Sequence, residues 1–292
     1  MSGQTITEPV AFSDLDRTLV YSPSALLLEG PDESAPRLLC VEVHDGRPLS
    51  FVTEAAAAAL TLLARSQRLV PTTTRTVEQY RRILLPGPSP AYAICANGGR
   101  ILTAGVEDAD WSRAVVDAVT TTAAPLTEVV EELAGLCTPR GAEPFVDKLR
   151  EAAGLFCYVV VKRSRVPRGW LEEVTGVARE RGWEVSLQGR KVYFVPTGLD
   201  KAHAAAEVVA RLGVSTTYAA GDSLLDAALL EMADAAIVPS HGELTEVGWT
   251  APRAQVTQQA GVRAGEEIAA WLLECLALPA GETVGCPDPA DS

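Results

Sequence analysis

FSDLDRTLV, from Phe12 to Val20, is the segment around which the chain is organised. Val10, Ala11 and Phe12 run straight into Asp14 and Asp16, with Thr18 two residues further on. An apolar run ending in carboxylates reads as a buried strand that stops at a charged turn. Residues two apart on an extended chain point to the same side, so both carboxylates face one site. Two adjacent carboxylates repel, and burial strengthens the repulsion. A divalent cation between them relieves it, and so does a proton kept on one of them. Both conditions suit phosphoryl transfer, in which one carboxylate attacks phosphorus and a carboxylic acid protonates the leaving oxygen. Asp-x-Asp also occurs in turns, helix caps and calcium loops, so the rest of the chain must decide.

The segments after it alternate in the manner of an α/β sheet. RLLCVEVHDGRPLSFVT predicts a hairpin turning at Asp45-Gly46, placed to cover the carboxylate turn. Thr53 then caps an Ala-rich helix. Arg68–Thr72 predicts a second strand, and Thr72 to Thr76 (TTTRT) follows it before a helix over VEQYRRILL. Hydroxyls at a strand-to-helix junction suit an anion, and a plain threonine cap fits equally well. AYAICA predicts a third buried strand, in a strand–helix–strand pattern of parallel-sheet character, leaving through Asn97-Gly98-Gly99.

The rhythm then changes. Trp111 to Leu136 predicts one long helix, VDKLREAA another, and FCYVVVK a strand. Arg168 to Arg181 predicts a helix, with a hairpin of WEVSL and KVYFV behind it. This α+β unit reads as an insertion into the first domain. The alternation resumes with a helix over Gly198–Val214 carrying Lys201 in its first turn, then a strand leading into Gly221, Asp222 and Asp226. Gly221 reads as a residue that lets the backbone turn sharply. Asp222 and Asp226, four apart at a helix start, share a face. The expected fold is α/β, a Rossmann-like parallel sheet core over residues 1–102 and 195–278, with an α+β cap over 103–194. Residues 279–292, rich in Pro, Gly and Asp, read as a disordered tail.

Composition narrows the partners. The net charge is −13 and there is no basic block, which argues against nucleic acid. No apolar run approaches the ~20 residues of a membrane helix, and the N-terminal stretch lacks the pattern of a signal peptide. Six scattered cysteines without a C-x-x-C pair read as reduced thiols in a cytoplasmic protein. Only four of the 25 basic residues are lysines, so the place of each carries information. His44, His203 and His241 share no metal spacing and read as surface or capping residues. Trp170 and Trp183 read as cap core. Lys162, Arg163, Arg190 and Lys191 are candidates to meet an anionic substrate, against the plainer reading of a solvated face.

D-x-D-x-T, a strand-end Thr, a helix-start Lys and G-D-S-x-x-D, in that order, resemble the four motifs of the haloacid dehalogenase (HAD) superfamily of phosphatases. The position of the insertion, and AICANGGRIL at its entry, look like the class IIB cap of Cof-type and sucrose-phosphatase-like members. The resemblance implies a Mg2+-dependent phosphatase acting on a small phosphorylated metabolite, with a sugar phosphate favoured. It implies Asp14 as nucleophile and Asp16 as general acid and then base, with nearby anions raising the Asp16 pKa. Thr73 would hold the phosphoryl oxygens, with Thr72 or Thr74 as register alternatives, and Lys201 would neutralise charge. Asp14, Asp222 and Asp16, the last through its carbonyl, would bind the metal; Asp226 would act on the metal or on Lys201. Thr72, Thr74, Arg75, Asn97 and Gly98 are the candidate substrate contacts. Arg17 departs from the pattern, since the family usually has Gly there. A left-handed backbone at that position costs a side chain ~1 kcal/mol or more. A phosphomutase of the same fold and a phospho-ligand sensor with a weakened site are the rival readings.

Overall fold

The computed structural model describes residues 8–137 and 144–277. The expected tail and residues 138–143 of the break after Leu136 lie outside the described residues. In chain order the strands are β1 (Val10–Ser13), β2 (Leu38–His44), β3 (Arg47–Thr53), β4 (Leu69–Pro71), β5 (Tyr92–Cys95), β6 (Arg100–Thr103), β7 (Val106–Glu107), β8 (Val146–Ala152), β9 (Phe156–Val161), β10 (Trp183–Gln188), β11 (Lys191–Pro196), β12 (Thr217–Ala220), β13 (Ala235–Val238) and β14 (Ala254–Val256). The helices are α1 (Glu54–Ser66), α2 (Val77–Tyr80), α3 (Ala109–Thr122), α4 (Leu126–Leu136), α5 (Trp170–Glu180), α6 (Lys201–Leu212), α7 (Ala227–Met232), α8 (Glu243–Glu246) and α9 (Val262–Ala277).

The core is a five-stranded sheet in the order β14-β13-β12-β1-β4, with every pair parallel. β1 lies inside the sheet and all four of its residues are buried, as expected of a strand covered on both faces. Because the strands are parallel, the C-terminal ends of β1, β4 and β12 open on the same edge. That edge receives the residues after Ser13, Pro71 and Ala220. On one side Leu60 and Leu63 of α1 pack with Ile268 and Leu272 of α9 against Ala11. On the other, Ala204, Ala205 and Val208 of α6 pack on Phe12.

A second sheet, in the order β10-β11-β9-β8, is wholly antiparallel. One of its faces carries Val159, Val192 and Phe194 under Val129 and Leu133 of α4 and Trp170 and Val174 of α5. Both tryptophans belong to this core, as expected. Their indole N–H groups are satisfied by the carbonyls of Leu136 and Ala124, which makes burying the rings tolerable.

Four local expectations need correction. The stretch 111–136 is two helices, because Pro125 caps a new helix start and closes the run at Thr122. VDKLREAA is strand, not helix. Its Val146 and Leu149 spacing suits a helix, but pairing along β9 supplies backbone partners that a short isolated helix lacks. The helix after TTTRT is only four residues long. The chain then turns through Arg81 and Arg82, and Leu84 N–H donates to Val41 O of the hairpin. AYAICA does not continue the parallel sheet as a full strand. It touches β4 through one parallel bridge, Thr72 to Ile94, and turns back antiparallel with β6 and β7. The 38–53 hairpin forms as expected, with Asp45 and Gly46 both at positive φ.

The turn after β5 is pressed against the start of α6. Gly98, at φ +97°, would place a Cβ 2.1 Å from Asp200 O. Gly98→Ala is therefore expected to lower stability by roughly 2–4 kcal/mol, through both the positive φ and the backbone collision. Urea denaturation of the two proteins measures it.

Candidate active site

The turn from Asp14 to Val20 is built around one carbonyl. Leu15 O accepts from the N–H groups of Thr18, Leu19 and Val20 at 2.7–3.2 Å. Leu15 and Leu19 are buried beneath it. Arg17 sits at φ +66°, the left-handed conformation that the usual Gly would adopt without cost. His241 holds that strained residue. Gly261 N–H donates to its Nδ1 at 3.1 Å, so Nε2 carries the proton and donates to Arg17 O at 2.9 Å. Burial and the Arg17 charge push the imidazole down to about 4, which keeps it neutral. The expectation of a surface or capping histidine missed this contact.

Lys201 is the centre. Its ammonium is 1% exposed and donates to Asp14 Oδ1 and Asp226 Oδ1, each at 2.6 Å. α6 delivers it: Asp200 caps the helix by accepting from His203 N–H. Asn97 Nδ2 donates to Leu199 O just before the helix. Asn97 and Gly98, expected to touch substrate, are thus placed as supports of the Lys201 helix.

Asp14, Asp222 and Asp226 bring carboxylate oxygens within 4.8 Å of one another, all buried. Asp226 is fully engaged. Besides Lys201, it accepts from Asp222 N–H, Ser223 N–H and Ser223 Oγ at 2.8–3.1 Å. Gly221 is needed for that packing rather than for a special φ, since a Cβ there would lie 2.4 Å from Asp226 Cβ. Asp222 Oδ2 accepts from Arg17 Nε at 2.9 Å. Asp14 Oδ2 takes only a long bond from Thr18 at 3.4 Å.

Two cations, Lys201 and Arg17, among three buried carboxylates leave negative charge uncompensated. Burial pushes Asp14 up to about 7 although Lys201 opposes it. Burial, with Asp14 and Asp226, holds Asp222 well above the usual carboxylate value against the pull of Arg17. Burial works against the Lys201 ammonium, but Asp14 and Asp226 outweigh it. A hard divalent cation meets this deficit, and carboxylate oxygens on Asp14 and Asp222 fit Mg2+.

Asp16 stands apart from that cluster. Arg75 holds it with two bonds of 2.7 Å, from Nε and Nη2. Burial alone would raise the Asp16 pKa, yet Arg75 overrides it and keeps the carboxyl below its usual value. This differs from the expectation of an acid raised by nearby anions, because the guanidinium is closer than any of them. Arg75 also donates to Glu42 Oε2 at 2.9 Å, and Glu42 accepts from Ser50 Oγ at 2.6 Å. The hairpin therefore contributes a buried carboxylate to the site edge.

Thr72, Thr73 and Thr74 are all buried at the end of β4. Thr72 Oγ1 donates to Val70 O, and Thr73 Oγ1 accepts from Arg75 N–H.

The antiparallel sheet is docked on this edge. Glu243 accepts from Ser186 Oγ at 2.6 Å and Leu187 N–H at 2.7 Å on β10, and from Leu224 N–H at 3.0 Å beside Asp222. Gln188 Nε2 donates to Ser223 Oγ at 2.9 Å. Sequence reasoning missed Glu42, His241 and Glu243. A Glu inside LLCVEVH, where alternation expects an apolar or exposed residue, was the one available signal.

No family model and no curated protein matches this sequence. Solved structures do match in fold. The sucrose-phosphatase from Synechocystis sp., solved with sucrose and phosphate, aligns at a TM-score of 0.62 and 17% identity, over 91% of this chain and 98% of that chain. A Thermoplasma acidophilum protein aligns at 0.56 and 14%, over 92% and 99%. A HAD subclass IIB sugar phosphatase aligns at 0.52 and 13%, over 92% and 100%.

The raised Asp14 pKa has a consequence for stability. A carboxyl at about 7 when folded and 3.8 when unfolded takes up a proton on folding. Its stabilisation is complete below the unfolded value and is lost as pH rises through the folded one. Metal-free protein is expected to melt at lower temperature as pH climbs from about 5 to about 8, and Asp14→Asn to fall less steeply. Thermal melts in chelator across that range decide it. Geometry and likeness together establish that the chain has the fold of haloacid dehalogenase superfamily phosphatases.

Proposed function

We propose that this chain is a Mg2+-dependent phosphomonoester hydrolase acting on a small phosphorylated metabolite, a sugar phosphate being the favoured class. One observation carries the reading. Lys201 is buried between Asp14 and Asp226, with Asp222 alongside, so three segments far apart in sequence converge on one charged point. Likeness in fold to a sucrose-phosphatase supports the substrate class.

In this reading Asp14 is the nucleophile. Lys201 holds one of its oxygens, and the other forms the bond to phosphorus as the ester P–O bond breaks. Asp16 gives its proton to the departing oxygen, then takes one from the water that releases phosphate and regenerates Asp14. At rest Asp16 is ionised by Arg75. An incoming phosphate dianion competes for that guanidinium, and its negative charge favours protonation of the freed carboxyl. The Thr72–Thr74 hydroxyls lie at the strand end where phosphoryl oxygens would be held, with Thr73 as first choice. Mg2+, on Asp14, Asp222 and the Asp16 carbonyl, would offset charge on the transferring group. Asp226 positions Lys201 rather than binding the metal, because its oxygens are already taken. Residues 103–194 act as a cap that excludes water while docked through Glu243.

The Arg17 to Asp222 ion pair favours a second reading, a phospho-ligand sensor whose metal site is occupied by a guanidinium. Turnover separates the two. Wild-type protein is expected to hydrolyse p-nitrophenyl phosphate with Mg2+, to lose that activity in EDTA and to regain it on adding Mg2+. Asp14→Asn is expected to lower kcat by at least about a thousandfold. Tight binding of phosphosugars without phosphate release would favour the sensor.

A further inference from the structure

The sheet face turned toward the carboxylates carries groups that hydrolysis does not use. Register places Ser186, Tyr193, Tyr158 and Arg150 in one row across the sheet. Gln188, Lys191, Val160 and Lys148 form the next row. Residues directly opposite one another share a face, and so do residues two apart on one strand. Ser186 and Gln188 bond to Glu243 and Ser223, so this face is the one against the parallel core. Val159, Val192 and Phe194 point the other way, into the apolar interior. The inward face thus presents three cations and two tyrosines, and no acidic residue stands in either row.

Lys191 is the cation set among the tyrosines. Its Nζ lies 5.4 Å from the Tyr158 ring centroid and 5.8 Å from that of Tyr193. Tyr193, and behind it Asp16, favour the charged ammonium although burial opposes it. Both Asp16 oxygens are engaged by Arg75. Lys162 and Lys201 have carboxylate partners. Among the described residues, Lys191 makes no ion pair. A partly buried cation without an ion-pair partner costs free energy that a ligand anion recovers.

We propose that Lys191 binds a second anionic group on the substrate, besides the transferring phosphoryl group, so that among small phosphorylated metabolites, sugar phosphates included, those carrying a further anion are preferred over neutral ones. Tyr158 and Tyr193 flank the carbon skeleton between the two anions. Arg150 and Lys148, on the same face, add to the positive field that draws such a ligand in. This inference rests on the hydrolase reading for its phosphoryl end only.

The experiment compares matched substrates on full-length protein with Mg2+: glycerol phosphate against phosphoglycerate, glucose phosphate against phosphogluconate, and fructose monophosphate against its bisphosphate. The acidic member of a pair is expected to show kcat/KM at least about tenfold higher, mainly through KM. Lys191→Gln brings that ratio toward one, and Lys191→Arg retains most of it, which separates lost charge from lost folding. The bisphosphate pair distinguishes a phosphate from a carboxylate as the second anion. A wild-type ratio at or below one in all three pairs overturns the proposal, as does a ratio that Lys191→Gln leaves intact. If no substrate releases phosphate, the hydrolase reading fails by itself. Calorimetric binding of the same pairs then decides, with tighter binding of the acid lost in Lys191→Gln supporting the proposal and equal binding overturning it.

Discussion

The buried ammonium of Lys201 is the constraint from which the rest of the site follows. A lysine at 1% exposure is tolerable only with its charge met, and two carboxylates from different segments meet it at 2.6 Å. Each of the three groups is in turn held by backbone. Asp14 ends β1, Asp226 is gripped by the loop it closes, and Lys201 rides a helix whose start is pinned by Asn97 and pressed by Gly98. Parallel strand order makes this possible, because it opens the ends of β1, β4 and β12 on one edge. Two cations, Lys201 and Arg17, among three carboxylates still leave a deficit, and the raised pKa values of Asp14 and Asp222 express it.

Two arginines and two glutamates form a further layer. Arg17 reaches Asp222, Arg75 joins Asp16 to Glu42, and Glu243 ties the antiparallel sheet to the loop beside Asp222. Each carboxylate of the site thus already has a cationic or hydrogen-bonding partner, although the cluster keeps its charge deficit. In the proposed reading a phosphate and a metal would meet carboxylates that guanidinium groups already cover. Arg17 is a product of the same logic. It keeps the left-handed turn at a conformational cost, while His241 fixes its carbonyl and Asp222 its side chain.

Much of the site was legible in the sequence because its chemistry sits in short local patterns. D-x-D-x-T after an apolar run and a lone Lys after a helix cap are visible without coordinates, and so is G-D-S-x-x-D. The left-handed strain at Arg17 was legible only through the resemblance, which puts Gly at that position. The helix expected over 146–153 was not a strand on local grounds. Val146 and Leu149 satisfy either period, and only the edge of β9 chose between them.

The sequence by itself determined the order of strand-end carboxylates, threonines and lysine, and the α/β alternation that carries them, since these depend on hydrophobic period and turn chemistry. Only the tertiary structure decided which charges are paired: Asp16 with Arg75, Asp222 with Arg17, Glu243 with the antiparallel sheet, and Lys191 with no carboxylate among the described residues. Pairing is set by distances of a few ångströms between segments up to two hundred residues apart, and no local pattern encodes such distances.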